Sequence, residues 1–327
     1  MDKFDVTALG ELLIDFTENG VSGQGNPLFE ANPGGAPCNV LAMLAKLGHK
    51  TAFIGKVGDD FFGTQLKEAI DGVGICPDYL YRDEEVHTTL AMVHTFPDGD
   101  RDFSFYRNPG ADMMLTEEEI PEEVIRNSRI FHFGTLSMTH EGVRKATKKA
   151  IRAAEEAGAL ISFDPNLRFP LWKSKEEARE QVLYGLGHCH ILKISDNEIQ
   201  WLTGKDDYTE GVEWIRERYH IPLILVSMGK EGSRAYYKGK MAEAAPFLRE
   251  NTVETTGAGD TFCGCVLHYL LEHEIDSLEE EGLREMLTFA NCAASLVTTR
   301  KGALRVMPSK EEVEESLGSY RNRETAG

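Results

Sequence analysis

Short apolar runs recur along this chain, separated by helix-period stretches, and that alternation constrains the fold more than anything else in the sequence. The runs are 4 to 9, 51 to 57, 130 to 133, 160 to 163, 191 to 194 and 223 to 226, with amphipathic segments such as 140 to 157 and 208 to 219 between them. Strands alternating with helices predict an α/β fold whose mostly parallel sheet is covered on both faces. The runs end in Gly10-Glu11, Gly58-Asp59-Asp60, Gly134 to Ser137, Asp164-Pro165-Asn166, Ser195 to Glu198 and Ser227-Met228-Gly229. In such sheets ligands bind beyond the carboxyl ends of the strands, so these endings converge on one crevice. Any one of them is also ordinary turn chemistry, because Gly, Asp, Asn and Ser dominate turns. Together they point to a site.

The segment from Glu254 to Asp260, Glu-Thr-Thr-Gly-Ala-Gly-Asp, opens an apolar helix marked by Phe262, Val266, Leu267, Leu270 and Leu271 at steps of three and four. First-turn N–H groups have no intrahelical partner and carry the positive end of the helix dipole, so the turn can hold a phosphate or a developing anion. Gly257 and Gly259 let the backbone approach, Ala258 does not block it, and Asp260 can take a proton from an attacking hydroxyl. The same Asp also fits a structural helix whose dipole it complements, and the heptapeptide alone leaves both readings open. A second helix is punctuated by Pro37 and Gly48. Gly34 and Gly35 precede it and Asn39 follows one turn in, a combination suited to sugar hydroxyls or simply to a tight helix entry. Gly58 to Thr64 mimics P-loop spacing but has Thr where Lys is required, and Gly257-Ala258-Gly259 lacks the third glycine of a dinucleotide fingerprint. Both of those readings weaken.

The net charge of -19 argues against a sequence-independent grip on nucleic acid or on an anionic membrane. Six cysteines without metal-site spacing, and no apolar run of about eighteen residues, predict a cytoplasmic protein with free thiols. Two segments interrupt the α/β rhythm, 17 to 33 and 88 to 107, the second reading as a hairpin about a turn at Pro97 to Asp100. We expect a single domain over 1 to 327 with these segments inserted as a small β-lid. Such a lid would close over the crevice and could also form a homodimer surface, although an ordinary edge hairpin fits the same pattern.

From about Phe4 to Pro308 these features resemble the ribokinase-like (PfkB) carbohydrate kinases. Gly34-Gly35-Ala36 is similar to the family's first signature and Thr255 to Phe262 to its second. Phe105 to Asp112, Gly134 to His140 and Phe163 to Arg168 with Leu171-Trp172 are most similar to bacterial fructokinases. The resemblance implies a ribokinase-like three-layer fold and an ATP-dependent sugar kinase that phosphorylates the 6-hydroxyl of D-fructose. Alternatives are a 2-keto-3-deoxygluconate kinase or, outside the class, a non-catalytic sugar or nucleotide sensor. It makes Asp260 the catalytic base, with Gly257, Ala258 and Gly259 stabilising the transferring phosphoryl group. Asp15, Gly34, Gly35, Asn39, Phe105, Arg107 and Arg168 match substrate-binding positions. Lys193, Ser227, Gly229, Gly232 and Asn291, with Gly257 and Gly259, match ATP-binding ones, and Glu198 would hold Mg²⁺ through water. Two departures stand out. Glu254 occupies a position where the family usually has Asp, linked with a monovalent-cation (K⁺) site, and its longer side chain leaves potassium activation an open expectation. Ser195 replaces the Asn of an Asn-x-x-Glu motif. Residues beyond about 310 are expected to form a final helix and a frayed tail.

Overall fold

The computed structural model of the protein describes residues 3–95 and 101–324. Its central sheet is built on parallel strands β1 (Val6–Leu9), β4 (Thr51–Gly58), β9 (Ile130–Gly134), β10 (Leu160–Asp164), β11 (Ile191–Ser195) and β12 (Leu223–Ser227). These are the six runs expected from the sequence. Short strands β5 (Ile75–Cys76) and β6 (Leu80–Asp83) pair with β4, while β13 (Ser233–Tyr237) and β14 (Lys240–Ala244) extend the other edge antiparallel. The order is β14-β13-β12-β11-β10-β9-β1-β4-β5.

The runs are mainly apolar because each strand is buried on both faces, and the polar residues within them, such as Lys56, His132 and Lys193, are buried too. Along β12, Leu223 and Leu225 enter one core, and Ile224 and Val226 enter the other. The first core is covered by α1 (Ala36–Lys46), α2 (Phe61–Gly72), α8 (Ala258–Glu272), α9 (Glu280–Val297) and α10 (Lys310–Glu324). The opposite core is covered by α4 (Glu141–Glu156), α5 (Lys175–Leu186), α6 (Asp196–Thr203) and α7 (Tyr208–Arg216), with short α3 (Glu122–Arg126) leading into α4. Helix, sheet and helix make the three layers.

A second, four-stranded sheet stands apart, in the order β3-β2-β7-β8. It comprises β2 (Leu13–Val21), β3 (Pro27–Gly34), β7 (Leu90–Thr95) and β8 (Arg101–Tyr106). This is the lid. The expected turn at Pro97 to Asp100 lies outside the described residues. Its composition is mixed, because β2 and β7 run parallel while the outer pairs are antiparallel. Strand β2 starts at Leu13, earlier than the polar segment read from the sequence, because Leu13 and Ile14 are buried at its root.

Helices α1 and α8 lie side by side, and a glycine sets how close they come. A Cβ on Gly264 would sit 2.7 Å from Met43 Cβ and 3.0 Å from the Val40 carbonyl oxygen. Gly264 follows Asp260 by one turn and Met43 follows Asn39 by one turn, so this contact also brings the two polar residues together.

Candidate active site

Gly257 caps α8 with φ of 76°, a left-handed conformation that costs an L side chain energy and is open to glycine. Its carbonyl accepts the N–H of Thr261 at 2.8 Å, which starts the helix at once, and the Ala258 N–H meets the Thr255 carbonyl at 3.3 Å. Asp260 lies in this first turn and is 8% exposed. Burial raises the proton affinity of its carboxyl above the usual Asp range, and a hydrogen bond from Asn39 with the charges of Lys193 and Arg168 opposes that rise. The Asn39 Nδ2 donor is 2.8 Å from Asp260 Oδ2. Asn39 Oδ1 is buried without a hydrogen-bond partner among the described residues, an acceptor a sugar hydroxyl can satisfy.

The lid delivers further residues in register. Asn32, Asp15, Ala91 and Phe105 are paired laterally across β3, β2, β7 and β8, so their side chains share one face. A Cβ on Gly302 would lie 3.2 Å from Asn32 Oδ1, which puts this face over the loop following α9. Gly34 closes against Asp15, whose Oδ2 leaves no room for a side chain there, and Gly35 turns the chain into α1. Glu11, at the end of β1, accepts the Ala36 N–H at 2.9 Å and ties that turn to the sheet. Burial pushes the Glu11 carboxyl up to about 7.

Arg107 is buried at the foot of β8. Its guanidinium donates to Asp112, to Thr139 Oγ1 at 2.8 Å and to the Leu136 carbonyl at 3.0 Å, all buried. It is a strut between the foot of β8 and the loop after β9. Arg168 remains half-buried and close enough to act on Asp260.

On the opposite side of Asp260, Lys193 rises from β11. Its Nζ would be 3.2 Å from a Cβ on Gly259, so the ammonium lies against the anion turn. Behind it, Asp164 Oδ2 is 3.0 Å away. Glu198 is fixed by the capping box of α6: Oε2 accepts from Ser195 N–H at 2.9 Å and Ser195 Oγ at 2.8 Å, and Oε1 from Leu167 N–H at 2.7 Å. Ser195 thus orients the carboxylate. Ser227, Gly229 and Gly232 form the turn between β12 and β13. Asn291 of α9 braces that turn, taking a hydrogen bond from Ser233 Oγ at 2.9 Å and donating to the carbonyls of Ala244 and Ala245. Glu254 Oε1 accepts the Gly302 N–H at 2.6 Å.

The structure therefore gathers Asp260, Asn39, Lys193, Gly257 to Gly259 and Arg168 about the start of α8, with Asp15, Gly34, Gly35 and Phe105 at the lid and its root. Glu11, Asp112 and Asp164 had no role read from the sequence, although the motifs Gly10-Glu11, Phe105 to Asp112 and Asp164-Pro165-Asn166 had marked their neighbourhoods.

A helix start holding a buried carboxylate and an ammonium, beneath a β-lid on a three-layer α/β core, defines a sugar kinase class. The family model for pfkB family carbohydrate kinases matches residues 3–310, and the chain belongs to that family. It is 41% identical over 318 residues to a probable fructokinase-4 of Arabidopsis thaliana, covering 97% of each chain. A fructokinase from Xylella fastidiosa, solved with bound ATP, superposes with a TM-score of 0.88 at 29% identity, over 97% of this chain and 99% of that one. A fructokinase from Vibrio cholerae O395, bound to fructose, ADP and calcium ion, gives 0.86 at 28% identity, over 97% and 100%. The activity of the chain is ATP-dependent phosphorylation of fructose. Among the described residues, no helix is long and apolar enough to cross a membrane.

Proposed function

We propose that the chain transfers the γ-phosphoryl group of ATP to the 6-hydroxyl of D-fructose, giving fructose 6-phosphate and ADP, with Asp260 as the base. The observation that carries this is the buried Asp260 carboxylate, held by Asn39 on one side and faced by Lys193 on the other. Phosphoryl transfer passes through a loose transition state, so placement and charge neutralisation matter more than a strong base. Asp260 accepts the hydroxyl proton as the bond to phosphorus forms. The N–H groups of the 257 to 259 turn, Lys193 and Arg168 meet the charge on the moving phosphoryl oxygens.

Asp15, Gly34, Gly35, Asn39 and Phe105 shape the sugar subsite, and Arg107 serves it indirectly by fixing the lid's foot. That engagement of Arg107 leaves an acidic sugar one cation fewer, which favours fructose over 2-keto-3-deoxygluconate. Ser227, Gly229, Gly232 and Asn291 frame the nucleotide.

Mg²⁺ entering with the nucleotide would supply further neutralisation of phosphate charge. The fit is to one anchored carboxylate, Glu198, acting through metal-bound water, because Mg²⁺ keeps several waters and uses few protein carboxylates. Among the described residues, no cluster of three His, Cys, Asp or Glu is arranged to hold a metal. Potassium is not required in this reading, since the Glu254 carboxylate itself bonds the loop at Gly302, and equal rates in potassium and in tetramethylammonium buffers check it.

The chain works as one domain over 1 to 327, with lid segments at about 17 to 33 and 88 to 107. It works as a homodimer through the lid, where Val21, Leu28, Phe29 and Tyr106 are exposed. Sedimentation velocity tests the dimer. The free thiols suit a cytoplasmic site. Asp260→Asn lowers kcat for fructose, followed by ADP release, by about two or more orders of magnitude with ATP affinity retained. Turnover near wild type would refute the role of base.

A further inference from the structure

We propose that Asp164 is a positioning residue for phosphoryl transfer, acting through Lys193. Asp164 closes β10 and is 2% exposed. Apart from the Lys193 ammonium at 3.0 Å, neither of its carboxylate oxygens has a hydrogen-bond partner among the described residues. A buried carboxylate with so little support is costly, and a structural role would call for more donors.

What it does hold is the ammonium that lies against Gly259. Lys193 has a flexible four-carbon stem, and three acids surround its head: Asp164 behind, with Glu198 and Asp260 also acting on it. Released from Asp164, the ammonium can swing toward Glu198 or pair directly with Asp260, and either move removes it from the path of the phosphoryl group. Held by Asp164, it stays at the turn with its remaining N–H groups available to phosphate oxygens. Burial raises the Asp164 carboxyl to about 7, a rise that Lys193 opposes and that Glu198 and Asp260 add to, so the pair depends on the ammonium being present. His132, beside them on β9, has its proton affinity lowered to about 3 by burial and by Lys193; it is therefore neutral, bonded to Ser162 Oγ at 3.0 Å, and is no rival partner for Asp164.

The inference rests on the reading of Lys193 as a phosphate-side residue, and the experiment separates the two. Asp164→Asn, Lys193→Met and the double variant are compared by ADP release with fructose and ATP, with thermal melting of each. Lys193→Met is expected to lower kcat about 100-fold and Asp164→Asn about 10-fold or more, with the KM for fructose changed little, as for interactions made in the transition state. The double variant is expected to match Lys193→Met, because Asp164 has nothing to position once the ammonium is gone. Wild-type kcat in Lys193→Met overturns the reading of Lys193. An impaired Lys193→Met with a normal Asp164→Asn, or a double variant that loses the product of the two factors, overturns the role of Asp164. If Asp164→Asn fails to fold because its lysine is left unpaired, the double variant, which buries no charge at either position, still decides against Lys193→Met alone.

Discussion

Asn39→Ala probes how the protein sets the charge on its base. The amide donates to Asp260 Oδ2 at 2.8 Å, and the carboxylate it serves is 8% exposed. A hydrogen bond to a charged group in such surroundings is worth about 1.5–3 kcal/mol, so its loss raises the proton affinity of Asp260 further. The direction is upward because burial already favours the protonated form and Asn39 opposes it; Lys193 and Arg168 remain to limit the rise. Transfer needs Asp260 ionised. The acid limb of kcat/KM against pH, which reports the free enzyme, should therefore move to higher pH, with activity recovering on the alkaline side. The missing Oδ1 acceptor appears separately, as a higher KM for fructose at every pH. The assay is ADP release with fructose across the acid and neutral range. An unmoved acid limb with a uniformly lower rate would show that Asn39 does not govern the proton on Asp260, and a shift to lower pH would reverse the electrostatic reasoning.

Three further outcomes follow from the same geometry. Gly264→Ala inserts a methyl group 2.7 Å from Met43 Cβ, and overpacking at the α1 to α8 contact should cost about 1–3 kcal/mol in a thermal or urea melt while weakening the Asn39 to Asp260 bond and so reproducing part of the Asn39→Ala limb shift; normal melting and a normal pH profile would refute the packing role. Glu11→Gln tests a pH-dependent stability: burial lifts the folded pKa to about 7 from the ordinary Glu value of 4.5, so the folded state holds the proton more tightly, and the stability this confers is complete below the unfolded value and lost as pH rises through about 7. Wild type should thus lose stability relative to Glu11→Gln between those values, by on the order of 3 kcal/mol, and parallel curves would refute it. For the lid, fructose should slow hydrogen exchange over 88 to 107, and equal exchange with and without the sugar would make it a static hairpin.

The central sheet was legible because burial on both faces turns each parallel strand into a mainly apolar run, and six such runs needed no tertiary information to find. The start of α8 was legible for a different reason. Gly257 stands where a left-handed residue must cap the helix, so backbone chemistry itself left a mark in the sequence. The root of the lid was less visible. Along β2, the buried Leu13 and Ile14 give way to half-buried Asp15, Phe16 and Thr17, and a strand that is polar toward a crevice loses the alternation that identifies it.

Side-chain pairing left no such mark. Asn39 and Asp260 are separated by 221 positions, and nothing periodic links them. Each was recognisable alone as a polar residue near a helix start; that they share a hydrogen bond depends on Gly264 allowing α1 to approach α8, a packing fact invisible until the helices are laid together. Arg107 makes the converse point. As a sequence position it suited a substrate contact, but Asp112, Thr139 and the Leu136 carbonyl engage its guanidinium. Lys193 and Asp164 likewise come from adjacent parallel strands, and their pairing follows from the β10 to β11 neighbour relation. The chemistry of this centre is thus carried by residues the sequence displays one at a time, and is set by which strands and helices the fold makes neighbours. A substitution such as Gly264→Ala, which removes no polar group, should for that reason disturb the proton on Asp260.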